Sequence, residues 1–249
     1  MNSPTPGTGC SSWSGAQEFK DAVLAGSQST LVRSVLEKDG DYLLRAYENV
    51  EKLWIDQFRN FAHVHLVLLS EAPLFGEHKQ SYIYNPKARA TPFLNYNDYA
   101  ETFGACGPSL PTGGGITRKP ALLNALRELG VLVLDLFPFA LNKRTSVNYA
   151  SISQSELFEA TCPHFFRLKL SSVLKKATPH TLFAFRYERV RDACGDLVRA
   201  ELARLKIDSA RLVSQCISGH HGIIRHDALR AVYERSRPVL IPLPRGKLT

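Results

Sequence analysis

The chain has 249 residues, 44% of them hydrophobic and 22% charged, with a formal net charge of +8 and a sequence pI near 9.3. That is long and apolar enough to bury a full core, which excludes a disordered chain. No stretch approaches the roughly eighteen consecutive apolar residues that a membrane span requires, so membrane-embedded functions are excluded as well.

Met1 to Gly15 is rich in Ser, Pro, Gly and Thr and has neither the basic nor the apolar stretch of a secretory leader. It reads as a flexible N-terminal arm, residues 1–15, ahead of a single α/β domain over residues 16–249. Asp41–Ala62 carries Leu43, Leu44, Tyr47, Val50, Leu53, Trp54 and Phe58 at helical spacing. Val64–Leu69 is nearly continuous in apolar residues, as expected of a strand covered on both faces, and runs into Ser70-Glu71-Ala72-Pro73. Phe75 to Thr117 shows little periodicity and contains Gly107-Pro108, Pro111 and Gly113-Gly114-Gly115, the marks of a long functional loop. Thr117–Leu129 places Leu122, Leu123, Leu126 and Leu129 on one helical face, with Gly130 as its stop.

Val131–Phe137 is the second predicted strand, and Gln154 to Lys176 contains a further helix. Leu182–Phe185 is the third strand, followed by Arg186-Tyr187. A helix over Arg191–Leu205, a fourth strand over Arg211–Cys216 and a last helix over His226–Ser236 complete the chain. Strands alternating with helices specify an α/β fold, with three layers, α/β/α, around a short four-stranded, mainly parallel sheet. Right-handed crossovers then bring all the strand C-terminal loops to one edge, where open α/β sheets bind ligands.

The candidate residues lie on those loops. Glu71 activates water or binds a donor on a base or sugar; the alternative is a turn cap. Tyr82 and Tyr84 suit stacking on a planar ligand, and Asn85 suits reading an amide-like edge, unless this segment packs on the core. Phe75 lies close behind the first strand end and belongs with them. Asp135, a carboxyl among apolar neighbours, needs a ligand or an intramolecular partner. His220 and His221, flanked by Gly219 and Gly222, suit hydrogen bonding to a developing anion or proton transfer, although loop histidines are often only solvated. The Gly113–Lys119 segment lacks P-loop spacing, yet Arg118 or Lys119 is placed to touch a phosphate at a helix N-terminus. Lys143, Arg144 and Arg186, with Arg167, Lys169, Lys175, Lys176, Arg189 and Arg191, form either a phosphate-facing edge or a solvated surface.

The five cysteines, Cys10, Cys106, Cys162, Cys194 and Cys216, show no C-x-x-C pair. They indicate neither zinc nor a disulfide framework, and a reducing, cytoplasmic setting follows. No metal and no cofactor is implied. The positive charge favours a polyanionic partner.

Ser70-Glu71-Ala72-Pro73 after the first strand and Ser218-Gly219-His220-His221 after the last give the chain, over roughly Val64 to Tyr233, a pattern that resembles the uracil-DNA glycosylase superfamily. The first motif is similar to the Gly-Glu-Ala-Pro form of some branches, with Ser70 in place of glycine. The second resembles a His-Pro-Ser motif but lacks its Pro-Ser. The resemblance implies a small parallel sheet flanked by helices and a DNA repair hydrolase that flips an altered base out of single- or double-stranded DNA. Glu71, Asp135, His220 and His221 would then be catalytic. Pro73, Phe75, Tyr82, Tyr84 and Asn85 would bind the base, and Arg118, Lys119, Lys143, Arg144 and Arg186 the backbone. Two other readings stand beside it: a nucleic-acid-binding protein of this fold without catalysis, and a small-molecule hydrolase that uses the strand-end pocket.

Overall fold

Val64–Ser70 forms β1 and Val131–Asp135 forms β2, and every residue of both except His65 is buried. With Ala177–Phe185 (β3) and Leu212–Val213 (β4) they make a four-stranded sheet of order β2-β1-β3-β4. All three pairings are parallel, so the sheet is wholly rather than mainly parallel. The computed structural model describes residues 16–73, 82–88, 93–111, 118–139, 152–219 and 223–237.

All four strands differ from the sequence expectation, β1 only in ending one residue later, at Ser70. β2 stops at Asp135, where the chain bends, although the amides of Leu136 and Phe137 still donate to Ser70 O and Glu71 O on the β1 side. β3 begins at Ala177, where an exposed start pairs with Val64 ahead of a register shift. β4 is only Leu212–Val213, although the chain beyond it returns to β3 through Ile217 N–H to Phe185 O and Ser218 N–H to Arg186 O, each 3.0 Å.

Eight helices are present among the described residues: α1 (Ala16–Gly26), α2 (Thr30–Arg59), α3 (Tyr96–Phe103), α4 (Arg118–Glu128), α5 (Gln154–Thr161), α6 (Phe166–Leu174), α7 (Glu188–Arg204) and α8 (His226–Ser236). The helix expected from Asp41 starts at Thr30, capped by Ser29, whose hydroxyl accepts from Val32 N–H at 3.3 Å. Its first turns bury Val32, Val35 and Leu36, and Gly40 in mid-helix leaves room for the Lys20 side chain of α1. The expected long loop contains α3, which a capping box of Asn95 and Asp98 starts. Gln154 to Lys176 holds two helices rather than one, divided by a short turn at Cys162–His164.

α4 packs on β2, α8 on β1 and β3, and α3 on both α4 and α8. On the other side α1 packs on α2 and α5, α5 on α7, and α6 and α7 on β3. The sheet lies between two helical layers. Gly130, at φ +67°, makes the return from α4 into β2 beside His65, where any Cβ would meet the His65 ring at 2.6 Å. That turn marks the N-terminal edge of the sheet. α4 and α7 each run back along the strands, so their first turns lie at the opposite edge, with the strand C-termini.

Candidate functional site at the strand ends

The last apolar row across the sheet is Leu134, Leu69 and Phe185. One residue further on, Asp135 is the register partner of Ser70, and Arg186 N–H donates to Leu69 O at 2.8 Å. Ser218 is attached beyond Arg186 by its backbone hydrogen bond. Side chains at one register position project to one face, so Asp135, Ser70 and Arg186 line up across adjacent strands, whereas Ser218 stands one residue beyond the register position of Arg186. All four are at least nine-tenths buried. Three of them carry a buried polar atom with no hydrogen-bond partner: Asp135 Oδ2, Arg186 Nε and Ser218 Oγ. Buried polar groups are normally satisfied, and each exception asks for an explanation.

Burial raises the Asp135 carboxyl to about 6, against the opposing pull of Lys169, Tyr82, Arg186 and Ser70. Tyr82, 2% exposed, lies close enough that each group acts on the other's protonation, yet neither Tyr82 Oη nor Asp135 Oδ2 has a partner at full hydrogen-bond geometry. Burial likewise holds the Tyr82 hydroxyl well above its ordinary range. Lys169, expected on a basic edge, is buried instead, paired with Glu51 at 2.6 Å and set over the rings of Trp54 and Phe165.

Glu71 leaves the row. Gln154 Nε2 donates to its Oε1 at 2.6 Å, and Arg189 pairs with its Oε2, so α5 and α7 hold both carboxylate oxygens. Comparison with protein-family models, curated proteins and solved structures finds no match.

Several expected ligand contacts have another place in the structure. Tyr84 is 2% exposed, and its hydroxyl accepts from Val133 N–H at 2.6 Å and donates to Val133 O at 3.0 Å, which makes it a brace for β2 rather than a stacking face. Asn85 is buried in a turn, where its side-chain oxygen accepts from Lys87 N–H at 3.0 Å. Pro73 is buried at the exit of β1. Lys119 is 8% exposed, its amine unpartnered and lowered by burial to about 7, so it is no solvated backbone grip. Arg118 stacks over Tyr96, 4.2 Å from the ring centre. Phe75, Lys143, Arg144, His220 and His221 lie outside the described residues. The chain on either side of the histidines is a tight return: Ser218 bridges Ile224, and Gly219 N–H donates to Ile223 O at 2.8 Å.

Four of the nine residues of the expected basic edge are held in ion pairs, and a fifth is held by backbone carbonyls. Arg167 binds Glu201, Arg189 binds Glu71, Arg191 binds Asp192, and the Lys176 ammonium caps the carbonyls of Phe58, Arg59 and Phe61 at the far edge of the sheet. Among the described residues no cluster of three or more His, Cys, Asp or Glu side chains could hold a metal. No described helix is long and apolar enough to cross a membrane.

Sequence reasoning missed Phe93, Asp98 and His226. Phe93 covers Arg186 and carries no pattern to reveal it. Asp98 and His226 sit in the first turns of α3 and α8, where His226 Nε2 lies 3.0 Å from Glu101 and 4.0 Å from Asp98. Tyr187 was not among the candidates either, although it stands two residues beyond the end of β3.

Proposed function

We propose that the strand-end edge is the active site of a DNA glycosylase-like enzyme, which hydrolyses the N-glycosidic bond of an altered base, uracil or a related one, in single- or double-stranded DNA. The row of Asp135, Ser70 and Arg186 carries this reading: unsatisfied polar atoms, Asp135 Oδ2 and Arg186 Nε, at the edge where parallel sheets take ligands. A four-stranded parallel sheet between helical layers supports it too, being what a resemblance to the uracil-DNA glycosylase superfamily implies.

The chemistry follows from the groups available. Flipping a base costs a few kcal/mol and leaves a gap in the stack. Ile223, 71% exposed on the return after the histidines, suits the apolar wedge that fills such a gap. Asp135, ionised above about pH 6, orients the attacking water or stabilises the cationic sugar. With its oxygens engaged, Glu71 serves to position the β1 exit. His220 or His221 hydrogen-bonds the departing base as its negative charge develops, a contribution of roughly 3–4 kcal/mol per donor.

The test is to incubate the protein with oligonucleotides carrying uracil or hypoxanthine, single- and double-stranded, and to cleave abasic sites with alkali. Strand breaks are expected with the wild type, falling about a hundredfold or more in Asp135→Asn and His221→Ala. The engagement of Glu71 by Arg189 and Gln154 favours a second reading, a nucleic-acid binder without catalysis. Salt-sensitive binding without breaks on any substrate would decide for it.

A further inference from the structure

Ser70 is the one member of the buried row to which the chemistry above gives no task. It closes β1 at 3% exposure, with Asp135 as its register partner on β2. On its other side Leu69 pairs with Phe185, so the next residue of that strand, Arg186, stands beside Ser70. A serine hydroxyl accepts through two lone pairs and donates one proton. Arg186 Nη1 donates to Ser70 Oγ at 3.5 Å, which takes up one lone pair and turns the hydroxyl proton away from the guanidinium. On the far side from Arg186 lies Asp135, whose buried Oδ2 no donor fills at full hydrogen-bond geometry. Ser70 is close enough to act on that carboxyl as a hydrogen-bond donor.

Arg186, expected on a DNA-facing edge, is 7% exposed, and its guanidinium is held between the Phe93 ring at 3.7 Å and the Tyr187 ring at 4.4 Å. Burial lowers it to about 10, which leaves it charged at neutral pH. Among the described residues no carboxylate lies within ion-pair distance, and of the carboxylates that act on it from further off Asp135 acts most, ahead of Glu71 and Asp98. Glu71 is held by Arg189 and Asp98 by the backbone of Asn95. Neighbouring strands lie about 4.8 Å apart, so the backbones of Asp135 and Arg186, two strands away from each other, are roughly 10 Å apart with Ser70 between them. The other groups facing Asp135 are Tyr82 and Tyr84, Lys169 from α6, and Tyr187 beyond Arg186. Lys169 has its own counter-ion in Glu51 of α2, and the tyrosines bring no charge. Arg186 is the cation whose nearest unengaged anion is Asp135.

We propose that Ser70 is a positioning residue, a hydroxyl bridge that accepts from Arg186, donates to Asp135 and so fixes the orientation and charge of that carboxyl. A donated hydrogen bond and a nearby cation both favour the ionised form. The bridge therefore opposes burial, which raises Asp135 to about 6, and it decides whether the group is a base or an acid at neutral pH. Ser70 touches no substrate in this role and acts through Asp135. Its catalytic consequence rests on reading Asp135 as the reactive group of the strand-end edge, whereas the coupling itself needs no glycosidic bond to be cut.

The experiment follows the Asp135 carboxyl carbon by NMR in the full chain as pH is varied, the resonance being assigned by its loss in Asp135→Asn. In Ser70→Ala the titration midpoint is expected to rise by about one pH unit, and in Arg186→Met by about one unit or more. Ser70→Thr, which keeps the hydroxyl, is expected to hold the wild-type midpoint. The double variant Ser70→Ala/Arg186→Met is expected to rise by less than the sum of the two, because groups that act through one another are not additive. Should Arg186→Met fail to fold, Ser70→Ala set against Ser70→Thr still decides whether the hydroxyl is used. A midpoint unmoved in Ser70→Ala, a midpoint raised as far in Ser70→Thr, or a double variant that gives the full sum overturns the bridge. Where strand breaks occur in the glycosylase assay, the acid limb of their pH–rate profile is expected to move with the NMR midpoint in Ser70→Ala. Absence of strand breaks on every substrate refutes the catalytic reading alone, and the carboxyl titration then decides the bridge by itself.

Discussion

Asp135 works against the stability of the fold it belongs to. Burial raises its carboxyl to about 6, whereas an unfolded carboxyl titrates near 3.9. The folded state therefore holds the proton more tightly, and the stability this gives is complete below about pH 4 and lost as pH rises through about 6. Above that range the ionised group costs about 2–3 kcal/mol, at roughly 1.4 kcal/mol per pKa unit. Asp135→Asn, which cannot ionise, is expected to be more stable than the wild type at about pH 8 and no more stable at about pH 4. Urea unfolding at both values reads this directly. Activity is expected to fall in the same variant, since the carboxylate is the group the proposed chemistry needs. Lower stability at the higher pH would instead assign Asp135 to the fold.

At the scale of elements, β2 is an edge strand, and an edge presents unpaired backbone groups. Tyr84 answers this with one hydroxyl that satisfies both N–H and C=O of Val133, while Trp54 Nε1 of α2 donates to the same carbonyl at 3.3 Å. Tyr84→Phe is expected to lower stability by about 1–3 kcal/mol, the cost of a buried group left unsatisfied, and to leave strand-break activity unchanged. A chemical-unfolding curve and the alkali assay check the two halves. This tyrosine also shows why the sequence was read unevenly. The Val and Leu runs of β1 and β2 and the leucine face of α4 are local patterns, and they announced the parallel sheet and its crossovers. Asp135 was legible because a carboxyl interrupts such a run. Tyr84 and Lys119 were not, because nothing local distinguishes an aromatic or a lysine that faces solvent from one turned inward. α3 was hidden by its length, 8 residues. β4 was overestimated because apolar residues past Val213 are buried by the return to β3 rather than by a ladder.

For the whole molecule, a formal charge of +8 suggests a strong polyelectrolyte grip, but the arrangement of the charges matters more than their sum. Arg167, Lys169, Arg189, Arg191, Arg199, Arg225 and Arg230 each have an acidic partner in the fold. Lys176 is bound to carbonyls at the edge away from the site, and Lys119 is buried with its amine lowered to about 7. Each phosphate neutralised releases counter-ions and adds about 0.9 to the slope of log K against log salt on duplex DNA. With these cations so engaged, few phosphate contacts are expected from the strand-end edge, giving a slope between about −2 and −4. Binding to a short duplex measured across a range of salt concentrations checks this. A slope near −8 would mean that almost the whole formal charge meets DNA, which requires the ion pairs described above to open on binding.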